Sequence, residues 1–136
     1  MRVVLDTNIL IAALLTRGTP PDKLYEAWRD GRFELASCER QLAEINRVSR
    51  RPFFQKRFAP GVAGRMVNEI RALARLCDPL PRVIRSPDPD DDFLLATAQA
   101  ARAGYLVTGD QGGLLSLKKH GITRILTARA LLKLLE

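Results

Sequence analysis

Val3-Val4-Leu5-Asp6-Thr7-Asn8 decides the reading of this chain: a short β-branched apolar run that stops on an acid and two polar residues. Such a run suits a buried strand, and Asp-Thr-Asn closes it. Residues 9–15 then read as a helix, ending near Gly18-Thr19-Pro20-Pro21. Leu24, Ala27 and Trp28 mark a second helix that stops at Asp30-Gly31, and residues 33–36 a second short strand. Ser37 is the expected N-cap of the next helix, whose apolar stripe is Leu42, Ile45 and Val48 and which Arg51-Pro52 breaks.

Met66, Ile70, Leu73, Ala74 and Cys77 give the longest helical pattern, ended by Pro79 and Pro81. Residues 80–84 are expected to form an edge strand, because proline is poorly tolerated at a sheet centre. Ser86-Pro87-Asp88-Pro89 leads into a helix over about residues 90–103; residues 105–108 and Arg124-Ile125-Leu126 are strands, and residues 128–135 a closing helix. Strands alternating with helices imply right-handed crossovers. The expected architecture is a single α/β domain over residues 1–136, three layers α/β/α about a mostly parallel sheet of about five strands.

The bulk composition narrows the function. Hydrophobic residues make up 46% of the chain, enough for a real core and too many for a disordered one. A formal net charge of +7 favours an anionic partner, nucleic acid or an acidic protein segment. Cys38 and Cys77 are too few and too far apart for a disulfide framework or a zinc pattern. The one histidine, His120, excludes a His-rich metal site and reads as a solvated helix end before Gly121. The apolar start is interrupted at once by Asp6, unlike a secretory signal, and no run approaches the ~20 apolar residues of a membrane span. A cytoplasmic location is expected.

In a parallel sheet, ligands bind at the carboxyl ends of the strands, where strand order reverses. Asp6 directly follows the first strand and Asp110 follows the strand over residues 105–108. If those strands are parallel neighbours, both carboxylates lie on one rim. In Asp90-Asp91-Asp92, at ~100° per residue, Leu94, Leu95 and Ala98 define the buried meridian. Asp91 falls near it, whereas Asp90 and Asp92 lie about a quarter turn to either side and are expected to face water. An inward carboxylate needs a partner, and a metal ion is one. Glu44 and Glu39 flank opposite edges of the stripe on their helix, and geometry does not choose between them. Clustered oxygen ligands suit Mg²⁺ or Mn²⁺, which neutralises the acids and activates water toward a phosphodiester.

Four segments together resemble the PIN-domain nucleases: Asp6-Thr7-Asn8 after a strand; Leu42-Ala43-Glu44-Ile45; Asp88-Pro89-Asp90-Asp91 before Leu95 and Ala98; and Tyr105-Leu106-Val107-Thr108-Gly109-Asp110. They look most like the single-domain VapC-like toxins of toxin–antitoxin pairs. The resemblance implies a metal-dependent endoribonuclease with Asp6, Glu44, Asp91 and Asp110 as both catalytic and metal-holding acids. It thereby breaks the tie between Glu39 and Glu44. Asn8 and Thr108 match polar positions that support such a site by hydrogen bonds to the acids or to water, although Asn8 reads equally as the N-cap of the first helix. The resemblance also implies a homodimer and a cognate antitoxin that docks near the site.

The chain departs from the family where relatives often carry a further acid two residues after Gly-Asp. Here that residue is Gly112, in a Gln111-Gly112-Gly113 stretch expected to be a flexible loop. Asp90 and Asp92 are the nearest substitutes for holding a second cation. Arg47, Arg50, Arg51, Lys56 and Arg57, interleaved with Phe53, Phe54 and Phe58, resemble a single-stranded RNA track; core packing for the phenylalanines is the competing reading. Two other functions fit parts of the pattern. One is an inactive nucleic-acid-binding module; the other is an aspartyl-type phosphatase, which needs a second Asp where Asn8 stands.

Overall fold

A computed structural model describes residues 1–136. Its elements run β1 (Arg2–Leu5), α1 (Thr7–Leu15), α2 (Pro20–Arg29), β2 (Glu34–Ser37), α3 (Glu39–Ser49), α4 (Pro52–Gln55) and α5 (Val62–Leu73). They continue as β3 (Arg75–Leu76), α6 (Asp92–Ala101), β4 (Tyr105–Val107), β5 (Lys119–His120), β6 (Thr123–Leu126) and α7 (Ala128–Leu135). Short 3-10 turns at Pro89–Asp91 and Leu114–Leu117 precede α6 and β5.

The six strands form one sheet in the order β3-β2-β1-β4-β6-β5, parallel throughout except for β5 against β6. The chain winds outward from β1 to β2 and β3, then crosses to β4 on the other side of β1. Strand order therefore reverses between β1 and β4.

The apolar strands are buried on both faces, as a parallel sheet requires. Val3, Leu5, Leu35, Val107 and Leu126 enter a large cluster with residues of α1, α2, α3, α5 and α7. Their alternates Val4, Ala36, Leu106 and Ile125 enter a smaller cluster built mainly on α6. The three layers are thus unequal, five helices against one. The thinner face is completed by Leu80 and Val83 from the segment between β3 and α6, and by Leu115 and Leu117.

Several local expectations are corrected. The helical pattern over Met66 to Cys77 stops at Leu73: Ala74 turns extended, and Arg75–Leu76 pair with Ala36 and Ser37. Ala74 and Leu76 face the large cluster while Cys77 faces the small one, a period of two rather than 3.6. The edge strand beside β2 is therefore β3. Residues 80–84 carry no regular structure and join no ladder, consistent with the amide protons lost at Pro79 and Pro81. Ser37 ends β2, and Cys38 is the N-cap of α3. His120 is not a helix end: it closes β5, and a two-residue turn through Gly121 (φ 56°) returns the chain to β6.

Candidate active site

Because β1 and β4 are parallel neighbours with Leu5 beside Val107, the residues that follow them emerge on one rim. The Asp6 amide still donates to Val107 O at 2.9 Å, and Thr108 N donates to Leu126 O at 3.0 Å, so both residues continue the ladder by one step. Asp6 and Thr108 consequently stand side by side. Thr108 is completely buried, and its hydroxyl donates to Asp6 Oδ2 at 2.8 Å. The same hydroxyl oxygen accepts from Asp110 N at 3.2 Å. One threonine oxygen thus ties the first and last acids of the site together.

Asp6 is only 6% exposed and is the N-cap of α1, its Oδ1 accepting from Asn8 N at 3.2 Å. The N-cap expected of Asn8 therefore belongs to Asp6. Asn8 supports the acid through its backbone amide, while its side chain is exposed and makes no hydrogen bond within the chain. Burial pushes the Asp6 carboxyl up; the bonds from Thr108 and Asn8 oppose this, and the charges of Glu44 and Asp110 add to it.

Asp91 lies at the junction of the 3-10 turn with α6 and is half-buried. Its carboxyl is raised to about 6, first by burial and then by the charges of Asp6, Asp88, Asp110 and Glu44. Acids from three further regions of the sequence therefore share one electrostatic environment with Asp6 at the switch point. Glu44 is partly buried on α3, with Arg47 Nη2 at 3.7 Å from its Oε2. Glu39 instead pairs with Arg71 of α5. Asp110 is exposed, and its Oδ1 accepts from Gly113 N at 3.1 Å.

The loop after Asp110 is ordered by that acid. Gly113 N and Leu115 N both donate to the Asp110 carbonyl, at 3.2 Å each, and start the 3-10 turn. A Cβ on Gly113 would lie 2.2 Å from Asp110 Oδ2, so only glycine lets the backbone come this close. Gly112, the family departure, faces open space. Of the two substitute acids, Asp90 is 89% exposed at its side chain, beside Arg40. Asp92 does not face water as expected; its Oδ1 accepts from Arg85 N and Ser86 N at 3.1 and 2.6 Å.

No three acidic side chains meet closely enough in this structure to enclose an ion. The chemistry of the donors nevertheless fits a hard divalent cation. They are all oxygen, no histidine or cysteine stands among the four, and a cation offsets both the burial and the added mutual repulsion that raise Asp6 and Asp91. Asp6, Glu44, Asp91 and Asp110 are the residues that would hold it.

A family model described as PIN domain matches residues 2–112. The chain belongs to the PIN-domain family. The match takes in all four acids and ends before β5, β6 and α7. PIN domains are generally nucleases, and those nucleases generally use divalent metal ions. Searches of curated proteins and of solved structures returned no match.

The phenylalanines of the basic cluster divide between core and surface. Phe54 and Phe58 stack on each other at 5.3 Å and pack against the large core cluster. Only Phe53 is exposed, and the Arg57 guanidinium covers its ring at 3.6 Å. Arg50, Arg51, Lys56 and Arg57 are exposed, after the C-terminal end of α3 and around α4. Sequence reading missed Arg40, which lies one helical turn before Glu44 and over the Phe93 ring at 4.7 Å. The four-residue spacing from Glu44 was the available signal.

Proposed function

We propose that this PIN domain is a Mg²⁺- or Mn²⁺-dependent endoribonuclease, acting as the toxin of a toxin–antitoxin pair. The observation that carries the nuclease chemistry is the Thr108 hydroxyl bridging Asp6 and Asp110, with Asp91 and Glu44 in electrostatic reach. A divalent cation held by these acids supplies a water of lowered pKa and stabilises charge on the phosphodiester oxygens. The chain's own part is positional. Thr108 and the Asn8 amide fix both oxygens of Asp6, and the Gly113 amide fixes Asp110, so the donors keep their places as substrate enters.

RNA as substrate is supported by the order of the four motifs and by the basic charge of the chain, whereas the antitoxin and a homodimer rest on the resemblance of those motifs alone. No helix is long and apolar enough to cross a membrane. The phosphatase alternative asks Asp6 to act as nucleophile, but it is buried with each oxygen already accepting a hydrogen bond. With Mg²⁺ or Mn²⁺ the purified protein is expected to cut RNA, and Asp6→Asn to abolish cutting while the circular dichroism spectrum is kept. Equal cutting by Asp6→Asn refutes the site. RNA binding without cutting under either metal selects the inactive module, and phosphate release from a small phosphomonoester alone selects the phosphatase.

A further inference from the structure

On α3, Arg40, Glu44 and Arg47 follow one another at spacings of four and three residues, which places them on one face of the helix. With Ala43 and Asp90 they line an open depression of about 390 Å³. We propose that Arg40 and Arg47 hold the phosphates of single-stranded RNA on either side of Glu44, one acid of the cluster, presenting cation, acid and cation in line. This rests on the nuclease reading above.

Both guanidinium groups are available for that task. The side chains are 54% and 65% exposed, and their approaches to carboxylates are long: 4.0 Å from Arg40 to Asp90 and 3.7 Å from Arg47 to Glu44. Exposed pairs of this kind contribute little, so a phosphate can take the donors over. Each guanidinium has about five N–H donors in a planar fork suited to phosphate.

Arg40 is also oriented. Its guanidinium rests over Phe93 of α6 and reaches the carbonyl of Asp90, the residue before Asp91, at 3.5 Å. The two cations are seven residues apart, about 10 Å along the helix axis. That separation brackets Glu44. The acids at the rim repel an RNA backbone; a cation to each side supplies the attraction that brings the strand across them. The cluster of Arg50, Arg51, Lys56 and Arg57 forms no ion pair with these acids.

The test is anisotropy of a labelled single-stranded RNA with Asp6→Asn protein in chelator, titrated with KCl. For single strands the steepness of log K against log salt is about 0.7 for each phosphate that the protein neutralises. Arg40→Gln and Arg47→Gln are expected to lower it by about 0.7 each and the double variant by about 1.4, with Arg40→Lys restoring most of its share. An unchanged slope in the double variant, with the decrease appearing instead in the triple variant Arg51→Gln, Lys56→Gln, Arg57→Gln, overturns the proposal. Cutting by the unmodified protein with Mn²⁺ is read in parallel. Cutting with an unchanged slope in the double variant removes only the bracket, whereas neither cutting nor RNA binding by the unmodified protein removes the nuclease reading beneath it.

Discussion

Replacing Thr108 by valine tests the one side chain that joins two acids of the site. Valine keeps the approximate shape at a fully buried position but deletes the oxygen. Asp6 Oδ2 loses its only side-chain donor, and Asp110 N loses its acceptor. A hydrogen bond to a charged group contributes about 1.5–3 kcal/mol, and the partner left behind at Asp6 is buried, so a loss of about 2–3 kcal/mol is expected at neutral pH. For a chain of this size, at about 3–5 °C per kcal/mol, the melting midpoint should fall by roughly 6–15 °C. The pH dependence has a definite sign. The Thr108 bond favours ionised Asp6, so the gap between wild type and variant is widest above the Asp6 pKa and narrows as acid protonates that carboxyl. Thr108→Ser, which keeps the oxygen, should recover most of the difference. Mn²⁺ affinity, followed by calorimetry, should weaken about 10–100-fold, as when other groups that orient a metal ligand are removed. A valine variant that melts within about 2 °C of wild type and binds Mn²⁺ equally would refute the reasoning, since Asp6 would then be held by something else.

Two further perturbations separate electrostatics from shape. Because Asp91 is raised to about 6, the fold disfavours its charged form; apo-protein stability should fall as pH rises from about 4 through 6 and then level off. Asp91→Asn should flatten that decline and, in chelator at about pH 7.5, melt above wild type by about 1 kcal/mol after allowance for solvent screening; a variant less stable than wild type there argues against repulsion within the cluster. Gly113→Ala forces the Asp110 carboxylate aside and should lower kcat on the order of 10²-fold, as a displacement of about 1 Å can. Gly112→Ala, facing open space, should leave kcat unchanged; equal losses in the two variants would show that loop flexibility, not the approach to Asp110, is what matters.

The parts of the site legible in the sequence are those set by a strand and its end. Asp6 and Asp110 follow from the rule that parallel strands carry function at their carboxyl ends, and the missing step was the adjacency of β1 and β4, which is a tertiary fact. Asp91 shares the site's electrostatics, but the uniform helical rotation that singles it out does not apply there: Pro89–Asp91 is a 3-10 turn and α6 starts only at Asp92. The same assumption sends Asp92 to solvent, where the structure uses it to fix the backbone of Arg85 and Ser86. Glu39 and Glu44 are inseparable by periodicity because the difference lies in a partner on another helix, Arg71.

The misreadings at Cys77 and His120 have different causes. Over Ala74 to Cys77 four residues are too few to tell a period of two from one of 3.6, so the longer helical pattern absorbs a two-residue strand. Around Gly121, by contrast, the signal is present: a glycine opening a two-residue link between Lys119-His120 and Thr123-Arg124 is hairpin chemistry, and the adjacent lysines point misleadingly to a helix end. Both misreadings fall at the margins of the sheet, at β3 and β5, whereas the acids collect at its middle. The centre is over-determined by strands buried on two faces, while edge strands of two residues carry almost no pattern of their own. That asymmetry explains why this sequence is more readable at its chemistry than at its borders.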